Sequence, residues 1–223
     1  SDLHSTIFGD KQSDLINSIL DYKPDLILLT GDIVDDLDPI EGSELFFEGI
    51  RNIAPIYYVS GNHEYRSPDY WERLSLIKDY GINVMDNKKT YIDINGNNIF
   101  IAGLDDSEHY FHKELNDDYD SILEYLDDQT LSYKILLSHR PELYSYYSKY
   151  KFDLILTGHA HGGQIIIPFL LNGMFAPNQG FFPKYAGGLY DLGQTDFIVS
   201  RGLSISALPR IFNPPELVFI NIN

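Results

Sequence analysis

Short apolar runs alternate with amphipathic stretches along this chain. Leu26-Ile27-Leu28-Leu29 follows Pro24-Asp25, and Ile56-Tyr57-Tyr58-Val59 follows Pro55; both read as buried strands. Ile135-Leu136-Leu137 and Leu154-Ile155-Leu156 read the same way. Leu15, Ile16, Ile19 and Leu20 have helical spacing, Phe46, Phe47 and Ile50 predict a second helix, and Trp71, Leu74 and Ile77 a third. Strands alternating with helices imply βαβ units and mainly parallel pairing. Tyr91-Ile92-Asp93-Ile94 and Ile99-Phe100-Ile101 flank Asn95-Gly96-Asn97-Asn98, which predicts a hairpin around an Asn-Gly turn. The tail predicts short strands near Phe197–Val199 and Leu217–Ile220. There is no internal repeat or low-complexity linker, so residues 1–223 are expected to form a single domain.

Composition narrows the function classes. No apolar run reaches the length of a membrane span, and no signal-peptide pattern opens the chain. The chain has no cysteine, which excludes disulfides, thiolate ligands and a Cys nucleophile. The net charge of -17, without a Lys/Arg cluster, disfavours nucleic acid as a partner.

Five of the seven histidines lie in five short segments: Asp2-Leu3-His4, Gly31-Asp32, Gly61-Asn62-His63-Glu64, Ser138-His139 and Gly158-His159-Ala160-His161. The last four each follow an apolar run, and ligands in open α/β sheets gather beyond the carboxyl ends of strands. His159 and His161, as alternate residues, would share a face if the strand continued. Imidazole and carboxylate donors suit Zn, Fe, Mn or Co rather than an all-oxygen calcium site. Glu64 reads either as an orienting partner of His63 or as a solvated side chain. His109 and His112 read as exposed loop residues, and Asp105-Asp106 as a solvated face.

In order and residue type, these segments resemble the calcineurin-like metallophosphoesterases. Ser1-Asp2-Leu3-His4, Gly158 to Ile165, Ala176-Pro177-Asn178-Gln179-Gly180, Phe182-Pro183-Lys184-Tyr185 and Val199-Ser200-Arg201-Gly202-Leu203 resemble its bacterial YkuE-type branch. The resemblance implies a four-layer αββα sandwich with two packed mixed β-sheets. It implies two divalent metal ions, one held by Asp2, His4, Asp32 and His161. The other would be held by Asp32, Asn62, His139 and His159, with Asp32 bridging. His63 resembles the catalytic histidine that protonates the leaving oxygen, and a metal-bridging hydroxide attacks phosphorus. The implied function is a phosphoesterase acting on phosphodiester or pyrophosphate bonds. The alternatives are a phosphomonoesterase with the same site, or a protein-binding module on this fold. The protein serine/threonine phosphatase branch has Arg-Gly where Asp36-Leu37 stands here, which disfavours that activity.

Partners follow from the same resemblance: a phosphate-ester substrate, with lipid-linked substrates within the branch's range. Many members of the branch are membrane-associated or exported, and a cytoplasmic location is the alternative. An N-terminal strand or anchor is expected upstream of Ser1. Arg201 reads either as a phosphate ligand or as the partner of a surface carboxylate. Residues 165–185 read either as an apolar rim for a lipid-like substrate or membrane face, or as a buried loop, the second being preferred.

Overall fold

The computed structural model describes residues 1–110, 115–205 and 209–222. Chain order runs α1 (Ser13–Tyr22), β1 (Ile27–Thr30), α2 (Glu41–Ile50), β2 (Ile56–Val59), α3 (Asn62–Arg66), α4 (Tyr70–Asp79), β3 (Asn83–Val84), β4 (Lys88–Ile94) and β5 (Asn97–Gly103). There follow α5 (Leu115–Leu126), β6 (Tyr133–Leu137), α6 (Tyr144–Tyr147), β7 (Leu154–Thr157), β8 (Phe175–Ala176), β9 (Gly180–Phe181), β10 (Gly188–Asp191) and β11 (Asp196–Val199). One sheet has the order β1-β2-β3, with parallel pairs. The larger sheet is mixed, with the order β10-β11-β7-β6-β5-β4.

The period-two alternation of strand side chains fills three apolar slabs. Ile27, Leu29, Ile56 and Tyr58 face the slab shared with Leu15, Ile19, Phe46, Phe47, Ile50, Leu74 and Ile77 of the first helices. Their strand neighbours Leu28, Tyr57 and Val59 face Ile101, Ile135, Leu137, Leu154 and Leu156, so the two sheets pack directly together. Phe100, Leu136, Ile155 and Phe197, on the far face of the larger sheet, pack with Tyr119, Leu123 and Tyr147 of α5 and α6. Helix, sheet, sheet, helix is the expected four-layer sandwich.

Two sequence expectations shift. In α4 the buried stripe is Tyr70, Leu74 and Ile77, whereas Trp71 is 70% exposed. Steps of four and three residues stay on one helix face, while two successive steps of three drift away from it. No strand is assigned over residues 217–220; Leu217 packs on the first slab and Phe219 stacks on Tyr22 at 3.5 Å. A strand needs a ladder partner, and none of the described segments pairs with this one. The Asn-Gly hairpin forms, with β4 and β5 closing directly on Asn95-Gly96 at the pair Ile94–Asn97.

Candidate metal centre

The strand ends deliver the side chains. Asp32 lies two residues beyond β1, Asn62 opens α3 after β2, His139 lies two residues beyond β6, and His159 two beyond β7. The first segment runs alongside the loop after β1: Asp2 N–H donates to the Gly31 carbonyl and His4 N–H to the Asp32 carbonyl, both at 3.0 Å. Glu64 fastens the loops together. Its buried carboxylate accepts N–H bonds from Asp32 (2.9 Å), Ile33 (2.8 Å), Val34 (3.0 Å) and Gly61 (2.9 Å). It is therefore neither solvated nor the partner of His63. Gly61 and Gly158 stand where any Cβ would collide with the carboxylates of Asp32 and Asp2.

Two clusters result. In one, Asp32 Oδ2 lies 3.1 Å from His139 Nε2, and His139 Nε2 lies 3.2 Å from His159 Nδ1. In the other, Asp2 Oδ1 lies 3.6 Å from His161 Nε2, and the His161 and His4 ring centroids are 5.2 Å apart. His4 Nε2 comes within 3.7 Å of Asp32 Oδ2, which joins the clusters. Asp2 also accepts the His159 N–H at 3.0 Å. In each cluster, three donor atoms lie within 4.8 Å of one another.

Backbone conformation marks the same spot. Asp2, His4, Asp32, His159 and His161 all adopt left-handed backbone, with φ between 46° and 64°. Such conformations cost about 1–3 kcal/mol each and persist where the surroundings enforce them. They also correct the strand reading of His159-Ala160-His161. β7 ends at Thr157, and left-handed turns at both histidines send them to different clusters.

Charge is distributed in the same way in both clusters. Burial opposes protonation of His139, yet the Asp32 carboxylate outweighs it and raises its pKa to about 10. For His4 burial is likewise outweighed, by the hydrogen bond to Asp35 (2.7 Å) and by Asp32, and its pKa rises to about 9. Burial, with His139 nearby, lowers His159 to about 3. Burial lowers His161 to about 4 despite Asp2.

These residues fit divalent cations. His4 Nε2 and Asp32 Oδ2 are buried and make no well-aligned hydrogen bond, although His139 Nε2 lies 3.1 Å from Asp32 Oδ2, a costly arrangement unless a cation takes their lone pairs. The Asn62 side-chain amide reaches the same group, 2.8 Å from His159 Nδ1.

Outer partners hold the rings. His139 Nδ1 lies 2.7 Å from the Thr30 carbonyl, and His161 Nδ1 lies 3.2 Å from Ser204 Oγ. His159 Nε2 lies 3.0 Å from Asn178 Oδ1, in the turn between β8 and β9. His63, part-exposed, points its Nδ1 to Asp36 Oδ1 at 2.6 Å, and its ring meets His4 edge-on at 4.4 Å. Sequence reasoning gave no site role to Asp35, Asp36, Ser204 or Asn178, although Asn178 lies in a segment that carries the branch resemblance. Their type and motif position gave one clue, since Asp35 and Asp36 directly extend the Gly31-Asp32 segment.

Other assignments resolve differently. Arg201 is ion-paired with Glu216 through Nη1. Asp105 and Asp106 are buried, not solvated, and Asp106 binds the buried Arg140 Nε at 2.9 Å. His109 is exposed, with its ring 5.1 Å from Tyr65, and His112 lies outside the described residues.

Known proteins resemble this chain. The profile of the calcineurin-like phosphoesterase family matches residues 1–163. The uncharacterized metallophosphoesterase YkuE of Bacillus subtilis is 33% identical over 213 residues, covering 93% of this chain and 71% of its own length. Haemophilus influenzae NAD nucleotidase superposes with a TM-score of 0.51 at 18% identity, over 89% of this chain and 43% of that one. The sulfate thiohydrolase SoxB of Thermus thermophilus gives 0.51 at 12% identity, over 83% and 36%. At those identities the solved structures establish the fold alone.

Proposed function

The chain belongs to the calcineurin-like phosphoesterase family, and on that premise we propose that it hydrolyses phosphodiester or pyrophosphate bonds at a binuclear centre. Asp2, His4, Asp32 and His161 hold one ion; Asp32, Asn62, His139 and His159 hold the other. The observation that carries this reading is the meeting of two buried carboxylate–imidazole clusters at Asp32, with His4 Nε2 and His139 Nε2 both turned to Asp32 Oδ2. Bound there, Mn, Fe, Zn or Co ions supply positive charge to the phosphoryl oxygens and lower the pKa of water.

The protein's own groups do the rest. Asp36 takes the Nδ1 side of His63, so Nε2 is left to hand a proton to the departing oxygen. Asp35 steadies the His4 ring, and Asn178 and Thr30 steady His159 and His139. Arg66, Arg140 and Arg201 are each paired with a carboxylate: Glu108, Asp106 and Glu216. DNA and RNA are poorer substrates, because a net charge of -17 repels them.

The test compares bis-nitrophenyl phosphate with nitrophenyl phosphate after loading with each candidate metal, alongside elemental analysis. Two ions per chain and faster diester cleavage are expected. Faster monoester cleavage would make the protein a phosphomonoesterase. Neither metal nor turnover would leave a protein-binding module.

A further inference from the structure

Apart from Asn178, the chemistry above makes no use of the apolar surface built by residues 165–190 and 211–212. Phe169, Leu170, Phe181, Phe182 and Phe212 each expose at least 68% of their surface. Backbone hydrogen bonds tie their segments together. Phe182 N–H donates to Met174, Met174 N–H to Gly163, and Ile166 N–H to Ile211, beside Phe212. The β8–β9 ribbon pairs Phe175 with Phe181, their rings 5.4 Å apart. The preferred sequence reading of a buried loop is therefore corrected: the loop tips point their apolar side chains into water.

Two further observations say what covers them. Phe169, Phe182 and Phe212 all adopt left-handed backbone, at φ 69°, 57° and 51°. That conformation is unfavourable for a bulky side chain, and the Phe182 ring has the exposed Phe181 ring beside it at 6.4 Å. The second is charge. From Leu154 to Tyr190 the sequence has no Asp or Glu, against 33 in the whole chain, and its one Lys or Arg is the exposed Lys184. Anionic headgroups, repelled by the acidic remainder, meet no carboxylate on this stretch. Aromatic side chains beside a lysine are the composition that rests at a lipid–water boundary.

We propose that this face seats on a phospholipid bilayer, with the Phe169-Leu170, Phe182 and Phe212 tips entering the boundary between headgroups and acyl chains. The ribbon that carries Phe175 and Phe181 also carries Asn178, the partner of His159. The ribbon therefore links the proposed membrane face to the metal centre. The proposal stands apart from the hydrolytic reading.

Flotation of the metal-loaded protein with phosphatidylcholine–phosphatidylglycerol vesicles at physiological salt tests it. The native protein is expected to float. Phe169→Ser and Leu170→Ser should each weaken partitioning by about tenfold. Lys184→Glu should weaken it only where phosphatidylglycerol is present. All three residues are exposed and outside the centre, so melting and turnover of a soluble diester should be unchanged. Native protein that stays in the aqueous fraction would overturn the proposal, as would serine variants that float equally well. A native dimer that the serine variants turn into monomer would also overturn it, because a second copy would then be the occupant. Loss of hydrolysis alone would leave the flotation result standing.

Discussion

The two clusters of the centre use the same residue types and are built to different degrees of closure. Around Asp32, His139 and His159 the side chains are 1%, 0% and 5% exposed. Around Asp2, Asp2 is fully buried, but His4 and His161 are 11% and 12% exposed, and His63 beside them is 26% exposed. The closed cluster is backed by a main-chain carbonyl and an amide from distant loops. The open cluster is backed by Asp35 and a serine hydroxyl, and it borders the proposed proton donor. The difference suggests a division of labour, in which the closed side holds an ion and the open side admits the substrate.

The sharpest way to break this comparison is to remove what the clusters share. Asp32→Asn should empty both sides, because Asp32 is the proposed bridge. Losing several kcal/mol of charge stabilisation lowers the rate by about 10³-fold or more. Elemental analysis showing one ion lost and one kept would assign Asp32 to a single side.

A change on the open side should touch chemistry and leave metal in place. His63→Ala is expected to slow alkyl esters by about 10²–10⁴-fold. Nitrophenyl esters, whose leaving group departs without a proton, should slow much less. Equal slowing of both, or loss of metal, would make His63 a ligand or a structural residue.

A change behind the closed side should do the reverse. Asn178→Ala frees the His159 ring, and losing such an outer partner typically costs about 10–100-fold in metal affinity. Competition with a chelator should show one ion weakened and the other unchanged. Ser204→Ala, behind the more exposed His161, should show the smaller effect. If the order is reversed, closure and affinity are not linked.

The smallest effect is one of stability against pH, away from both clusters. Burial, then the charges of Asp86 and Asp106, raises Asp105 from 3.8 to about 8. Native protein then keeps a proton that the unfolded chain has lost. Stability contributed by that proton should decline modestly as pH rises from about 4 towards 8. Denaturant unfolding of Asp105→Asn should show a flatter profile over that window. A slope as steep as that of the native protein would place the burial cost elsewhere.

Much of this could be read along the chain. Alternation in Leu26–Leu29, Ile56–Val59, Ile135–Leu137 and Leu154–Leu156 already contains the three apolar slabs, because side chains on a strand point alternately to its two faces. The Asn95-Gly96 hairpin is local turn chemistry. The donor types are present in order, each placed after a strand. Tertiary structure decided what those local patterns cannot hold. Glu64 became the clamp of two loops only because four N–H groups from separate segments converge on it. Asp106 became buried because Arg140 came to meet it, and Asn178 became a partner of His159 through a ribbon nineteen residues downstream. The exposure of Phe169 and Phe182 depended likewise on which segments failed to cover them. Periodicity reports which way a side chain points from its own strand or helix. Burial, charge state and partnership are set by what arrives opposite it, and that comes from elsewhere in the chain.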